Sequence, residues 1–520
     1  MGVSLNVGNI RTNILGYLSQ DVVKALDIKM SWSIDGAWYS EKCQKIWCPK
    51  CRQKCEERTA SFEKSGVIVR AQQIKSWFCE THGGVSPVSL WDGRQHLFST
   101  VTLSFPTGLI HYCREVLKKN NISYKVLDNR VKIQIKKPQP LYGITYHDYQ
   151  ESTIKKAIYA QRGIIQAPTG SGKTEIFTGI TAELGLPTVI YCHRTTILHQ
   201  TKERMEKRLK IPIGILGDGL KDIKKYTVAM IQSVFASKDK KVQQMARDAE
   251  CIIFDEGHHL SATTVYKIAK ISIQAYYRYC ITATPWRDDG MDMMLEAATA
   301  KKIVQIQATD LIQRGILSKP YIYFLKMQTV SENDSRLSYP SIYQKCVVEN
   351  DYRNRIATYL CNYLHHREKT VLVAVMRIEH GQRLLQIMQE LYPNVRSRFI
   401  QGENDTEEKK QALKDLDERK LDVCIATTVF GEGVDVPSLD VLINMKAATS
   451  SVDTFQLVGR VMRTTAQKKK CFVIDFYDEG KYLQSHADAR IKILKTEPEY
   501  EVEILDDIEV LVKTLSEKLI

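Results

Sequence analysis

Ala167-Pro168-Thr169-Gly170-Ser171-Gly172-Lys173-Thr174 follows the short apolar run Gly163-Ile164-Ile165-Gln166 and precedes residues 175–182, which can continue as a helix. Strand, glycine-rich turn and helix in that order is the setting of a phosphate-binding loop. Backbone N–H groups of the turn and the helix N-terminus converge on one point and favour an anion there. In such a loop Lys173 reaches the β- and γ-phosphates and the Thr174 hydroxyl binds magnesium. Ala167 stands where the general pattern has its first glycine, and a small residue still fits. A chance glycine-rich turn is the alternative, and the ordered lysine and threonine argue against it. The stretch predicts nucleoside triphosphate binding without saying what the energy is used for.

Working outward, 520 residues suggest three or four domains, at roughly 150 residues each. The composition is that of an ordinary soluble protein, 43% hydrophobic and 26% charged. No apolar run approaches the roughly 20 residues of a membrane helix, and no signal peptide opens the chain. Met1-Gly2 resembles a myristoylation start, but the sixth residue is Asn6 rather than Ser or Thr. These features predict a cytoplasmic protein, in the host cytoplasm if the source is viral, with no membrane partner. Residues 1–140 carry 21 Lys and Arg against 11 Asp and Glu, a surplus of ten within a net charge of +14. A basic N-terminal segment on a nearly neutral body predicts a polyanionic partner, with a merely solvated lysine-rich surface as the alternative.

From about residue 141 to 318, strand-like runs at 188–192, 226–231, 251–254 and 279–282 alternate with helical stretches such as 195–209. A second series begins near 320, with strands at 321–326, 370–375, 398–401, 423–427, 441–445 and 471–476 and helices at 405–416 and 452–461. The alternation predicts α/β architecture, two parallel-sheet domains in tandem joined near 315–320, of which only the first has a phosphate loop. Residues 96–140 read as a small basic α+β accessory domain, a helix at 108–120 followed by a hairpin of 122–127 and 131–135. Residues 496–520 read as an acidic, helical tail.

Ile252-Ile253-Phe254 is an apolar strand that delivers Asp255 and Glu256 at its C-terminal end, where ligands sit in an open α/β sheet. Asp255 is the candidate magnesium ligand, and Glu256 the candidate that orients the attacking water. Arg460 and Arg463 lie three apart in Gln456-Leu457-Val458-Gly459-Arg460-Val461-Met462-Arg463, so a helix projects both from one face. Arginine, always charged and forked, suits a transferring phosphoryl group. Taken alone, the pair reads equally as two solvated helix arginines.

In order along the chain, Tyr149-Gln150, the phosphate loop, Asp255-Glu256-Gly257-His258, residues 281–287 (ITATPWR), residues 426–435 (ATTVFGEGVD) and residues 456–463 (QLVGRVMR) resemble the motifs of superfamily 2 helicases. Gln232-Ser233 and Leu198…Gln200 match weaker motifs of that group. The resemblance covers about residues 141–480. The run TATPWRDDG and the segment FPTGLI…LDNR look most like the double-strand DNA translocase branch, which includes XPB-like translocases and phage UvsW-type branch-migration helicases. It implies two RecA-like domains, 141–318 and 319–495, with ATP and Mg2+ as cofactors. Gln150 would read the adenine, although His147 replaces the arginine the family often has three residues earlier. Ala167, Thr169, Gly170, Ser171, Gly172, Lys173 and Thr174 would hold the phosphates, with Gly433 and Asp435 lining the cleft from the second domain. His258, Thr282, Thr284, Gln232, Thr427 and Gln456 would couple ATP state to DNA grip. Leu457 stands where the family often has a basic residue. The implied partner is branched or double-stranded DNA, with forked or Holliday-type substrates in replication, recombination or repair.

Cys48-Pro49-Lys50-Cys51 is followed, after 27 residues, by Cys79-Glu80-Thr81-His82. Two knuckles of this spacing predict a structural zinc site in a cysteine-rich module at 1–95, with Cys48, Cys51, Cys79 and His82 as ligands. Cys43 and Cys55 are alternative ligands, and unliganded cysteines in a small core are the competing reading. Three functional alternatives stay open: an RNA-directed helicase, the motor subunit of a restriction system, and a zinc-bearing binding module that uses ATP only as a switch.

Overall fold

A strand covered by helices on both faces needs a continuous apolar run, and Thr188–Cys192 and Cys251–Asp255 meet that need, buried at every position. The computed structural model describes residues 2–33, 56–60, 74–79, 83–84, 94–257, 260, 262–283, 292–327, 337–402, 406–427, 436–449, 451–465, 468–480 and 482–519. Cys48, Cys51, His82, His258, Thr284, Gly433 and Asp435 lie outside the described residues, as do the side chains of Cys79 and Gln456. Among the described residues, no helix is long and apolar enough to cross a membrane.

The larger of two compact units runs from Val131 to Ile520, apart from residues 289–293. Its first sheet has eight strands. From edge to edge these are Leu220–Asp222, Gly214–Gly217, Tyr226–Met230, Thr188–Cys192, Cys251–Asp255, Tyr277–Thr282, Arg162–Gln166 and Lys302–Gln305. Every neighbouring pair is parallel except the outermost hairpin, Gly214–Gly217 with Leu220–Asp222. The strand carrying the phosphate loop lies beside Tyr277–Thr282, which in turn lies beside Cys251–Asp255, so loop and acids emerge at the same sheet end. The second sheet has seven parallel strands in the order Ser397–Ile400, Val423–Ala426, Val371–Ala374, Val441–Asn444, Lys470–Asp478, Lys319–Met327 and Glu501–Leu505. The tandem parallel-sheet reading therefore holds. One apolar cluster is shared by both domains, reaching from Ile165 and Leu311 to Leu457, Val461 and Met462.

Residues 496–520 are not an appended tail. Glu501–Leu505 adds a seventh strand beside Lys319–Met327, and the helix Ile508–Lys518 buries Leu511 and Leu515 completely against that domain. The local sequence is charge-rich, and its partner strand lies about 180 residues earlier, so the pairing left no local trace.

The smaller unit holds residues 1–130. Its sheet runs Ser104–Pro106, Arg11–Leu15, Val3–Val7, Tyr124–Asp128, with helices Gln20–Lys29 and Ile110–Lys119. This sheet joins both sides of the boundary drawn at residue 95. The expected hairpin does not form. Tyr124–Asp128 pairs in parallel with Val3–Val7, Asp128 takes the Arg130 guanidinium at 2.7 Å, and the Asn129 N–H goes to Val7. Residues 131–147 instead thread along the first motor domain, donating from Lys136, Gln139 and Tyr142 to the carbonyls of Leu184, Ala182 and Arg208.

Candidate active site

The phosphate loop needs backbone that only glycine adopts easily. Gly170 and Gly172 both lie in the left-handed region, at φ 85° and 79°. Gly172 caps the helix Lys173–Leu184, whose first-turn N–H groups face the loop. The Ser171 hydroxyl and N–H both donate to the Pro168 carbonyl, closing the turn. Beneath it, the Tyr149 hydroxyl and the Gln150 amide nitrogen donate to the Ser171 carbonyl at 2.8 and 3.1 Å. The other end of the Gln150 amide accepts the His147 N–H, capping the helix Asp148–Ala160. Gln150 is buried, and a Cβ on Gly172 would lie 2.5 Å from its nitrogen. The residue assigned to the base thus supports the loop in this structure, and His147 lines the cavity.

Asp255 ends its strand buried, and Glu256 follows at φ 49°, a conformation costing about 1–2 kcal/mol for a non-glycine residue. Its N–H is held by the Ile281 carbonyl, which fixes the turn that aims both acids. Lys173 Nζ sits 2.5 Å from Glu256 Oε1, so the lysine meant for phosphate neutralises the water-orienting acid. Burial, reinforced by the Glu256 charge, raises the Asp255 carboxyl well above its ordinary range against the opposing pull of Lys173 and His193. Asp255 and Thr174 line the same cavity, and carboxylate plus hydroxyl is the hard-oxygen donor set that magnesium takes.

The second domain contributes the opposite wall. The helix Ser451–Val461 brings Arg460, and the turn after it brings Arg463. Gly459 lets this helix touch the loop, since a Cβ there would lie 2.6 Å from Thr169 Cβ. The connecting segment is laced to the same turn: Ser318 N–H donates to Met462 at 2.6 Å and the Thr464 hydroxyl to Ile316 at 3.0 Å. Between the walls lies a cavity of about 390 Å³. Thr169, Gly170, Gly172, Lys173 and Thr174 line it from the loop, and Arg460, Arg463 and Thr464 from the other domain. Ile197, Gln200, Thr201 and Arg204, on one face of the helix Thr195–Leu209, complete it. This face was missed apart from Gln200. Its residues recur every three or four positions, but TKERMEKRL reads from sequence as an ordinary charged helix.

Of the other assigned residues that are described, Thr282, Gln232 and Thr427 do not line the cavity. The Thr282 carbonyl accepts the Ala167 N–H, which ties the strand end to the loop. Gln232 donates to the His193 carbonyl at 3.3 Å. Thr427 is buried at the end of Val423–Ala426, its N–H on Ile400. Among the described residues no cluster of three or more His, Cys, Asp or Glu could hold a metal.

Paired parallel-sheet domains, with a phosphate loop and acids on one and arginines facing them from the other, form a split site suited to hydrolysing a nucleoside triphosphate. Residues 143–287 match the family "Type III restriction enzyme, res subunit", and residues 355–465 match "Helicase conserved C-terminal domain". The two matched segments are those of superfamily 2 helicases, a class of ATP-hydrolysing enzymes. It is 25% identical over 356 residues to the protein named as helicase 22 of Sulfolobus islandicus filamentous virus, covering 63% of each chain. It is 26% identical over 373 residues to DNA 3'-5' translocase XPB2 of Sulfurisphaera tokodaii, covering 65% of this chain and 82% of that protein. The chain thus spans less than two thirds of the first relative's length. The structure of S. cerevisiae Dbp5 bound to RNA and ADP BeF3 matches 72% of this chain and 93% of its own, at 16% identity and TM-score 0.53. That of phage T4 UvsW matches 98% and 99%, at 15% identity and TM-score 0.43.

Proposed function

We propose that this chain is an ATP-driven DNA translocase that remodels branched or double-stranded DNA. One observation carries the reading: the arginine-bearing helix of the second domain abuts the phosphate loop of the first at Gly459 and Thr169. ATP in this cavity joins the domains, and its hydrolysis releases them, so nucleic-acid contacts on each move relative to the other. Lys173 leaves Glu256 for the phosphates, Glu256 then orients water, and Arg460 and Arg463 stabilise the developing charge. Magnesium, held by Thr174 and Asp255, would neutralise the phosphate oxygens. The basic excess of residues 1–140 supports a polyanionic substrate. Contacts to backbone phosphate would make binding fall steeply with salt. We read the site of action as the cytoplasm. Cys48, Cys51, Cys79 and His82 are the zinc ligands we propose from their spacing, and metal analysis should find one zinc per chain.

The test compares ATPase stimulation by duplex DNA, a four-way junction, a fork and RNA. Stimulation by branched or duplex DNA supports the proposal, and stimulation by RNA alone overturns it. The match of residues 143–287 to a restriction-subunit family favours a second reading, a restriction motor. That motor would translocate along plain duplex with no preference for a junction.

A further inference from the structure

The helix Thr195–Leu209 carries four basic residues in its second half, Lys202, Arg204, Lys207 and Arg208. Lys202 is paired with Glu206 one turn on, at 2.7 Å. Arg208 is clamped by both carboxylate oxygens of Glu175 and by the Gly143 carbonyl. Arg204 is the one that lines the cavity, a turn beyond Gln200 and Thr201. The phosphate loop lies in the same cavity, as does Arg463, whose Cγ would lie 3.6 Å from a Cβ on Gly170. Burial depresses the Arg463 guanidinium to about 10, and the nearby Arg204 charge adds to this against the opposing pull of Asp417. Two arginines from opposite domains therefore line one cavity with the loop.

The cavity's charge gives this arrangement a use. Lys173, Arg204, Arg460 and Arg463 face Asp255 and Glu256, four cations against two carboxylates. Without Arg204 the excess is a single positive charge. With it, the wall suits a polyphosphate that brings its own magnesium. We infer that Arg204 is a further phosphate-binding residue of the nucleotide site, contributed by the loop-bearing domain and paired across the cleft with Arg463. Between the two guanidinium groups an anion converts repulsion into a clamp, so nucleotide binding favours approach of the domains. This rests on the nucleotide reading of the cavity.

The experiment measures binding of a fluorescent, non-hydrolysable ATP analogue with magnesium, by direct titration, to wild type and to Arg204→Met, Arg204→Lys and Lys173→Ala. Loss of a charge-assisted contact weakens binding by roughly 10- to 100-fold. Arg204→Met should show that loss with an unchanged melting temperature, and Arg204→Lys should recover part of it. Binding by Arg204→Met within twofold of wild type, with Lys173→Ala impaired, overturns the role of Arg204. If Lys173→Ala also binds as wild type does, the nucleotide reading fails with it. If Arg204→Lys binds no better than Arg204→Met while both melt early, Arg204 is structural and the inference is wrong.

Discussion

Gly459→Ala tests the split site at its tightest point. The new methyl carbon would sit 2.6 Å from Thr169 Cβ, 3.0 Å from its hydroxyl and 3.4 Å from its methyl. Carbon atoms settle at about 3.5–4.0 Å, so the helix Ser451–Val461 must retreat by roughly 1 Å. Neither side yields easily, because the contact is a Cβ on the phosphate loop rather than the end of a flexible chain. Arg460 is the next residue and withdraws with the helix. A displacement of that size at a reacting centre costs about 100-fold in rate, close to 3 kcal/mol of transition-state stabilisation. The same substitution improves helix propensity by up to about 1 kcal/mol. The expected signature is therefore opposed: steady-state ATPase kcat falls about 100-fold while the melting temperature holds or rises. A cycle with Thr169→Gly, which removes the opposing carbon, should show coupling of about 1–3 kcal/mol. Gly459→Ala with wild-type kcat would refute the contact. Loss of kcat with no coupling to Thr169→Gly would place the damage elsewhere than at this interface.

Glu256→Gln should lower kcat by roughly 10²–10⁴-fold while tightening nucleotide binding, because it also releases Lys173 from its 2.5 Å ion pair; weaker binding would count against that exchange. His380 is fully buried, with Nε2 on Asn354 Oδ1 at 2.9 Å, and burial, aided by Arg353 and Arg383, lowers its imidazole to about 3. The unfolded chain takes up a proton near pH 6.5 that the fold excludes, so stability is present above that pH and is lost as pH falls toward 3. The loss at pH 5.5 relative to pH 7.5 is on the order of 1 kcal/mol, and urea unfolding of His380→Gln should show a correspondingly shallower pH dependence. Leu515→Ala should cost about 2–5 kcal/mol, and a chain ending at Lys495 should melt lower still, since both open the core under the seventh strand; an unchanged melting temperature would return residues 496–520 to a dispensable tail.

What was legible depended on how far apart the cooperating residues lie. Residues 167–174 and 251–256 each carry strand, turn and candidate chemistry within a few positions, and the strands and turns formed as expected. The helix bearing Arg460 was legible too, though nothing local says what it faces. Gln150 shows a different limit: its type and place were visible, but not that the Ser171 carbonyl and the His147 N–H take both ends of its amide. Tyr124–Asp128 was given the wrong strand partner and Glu501–Leu505 was missed as a strand, because their parallel partners lie far back in the chain.

Arg204 and Gly459 are the sharper cases. Each is ordinary in its own helix, one a charge among charges and the other a weak helix former. Each acquires meaning only from a surface at least 30 residues away, the loop for Arg204 and Thr169 for Gly459. Gly459 carries information that no helix-propensity argument yields: a glycine in a helix interior costs up to about 1 kcal/mol, which is worth accepting only where backbone must come close. Closeness between domains is what a motor driven by a shared nucleotide requires. A surface helix under no such demand would gain from alanine, so the glycine itself argues that its contact with Thr169 is required.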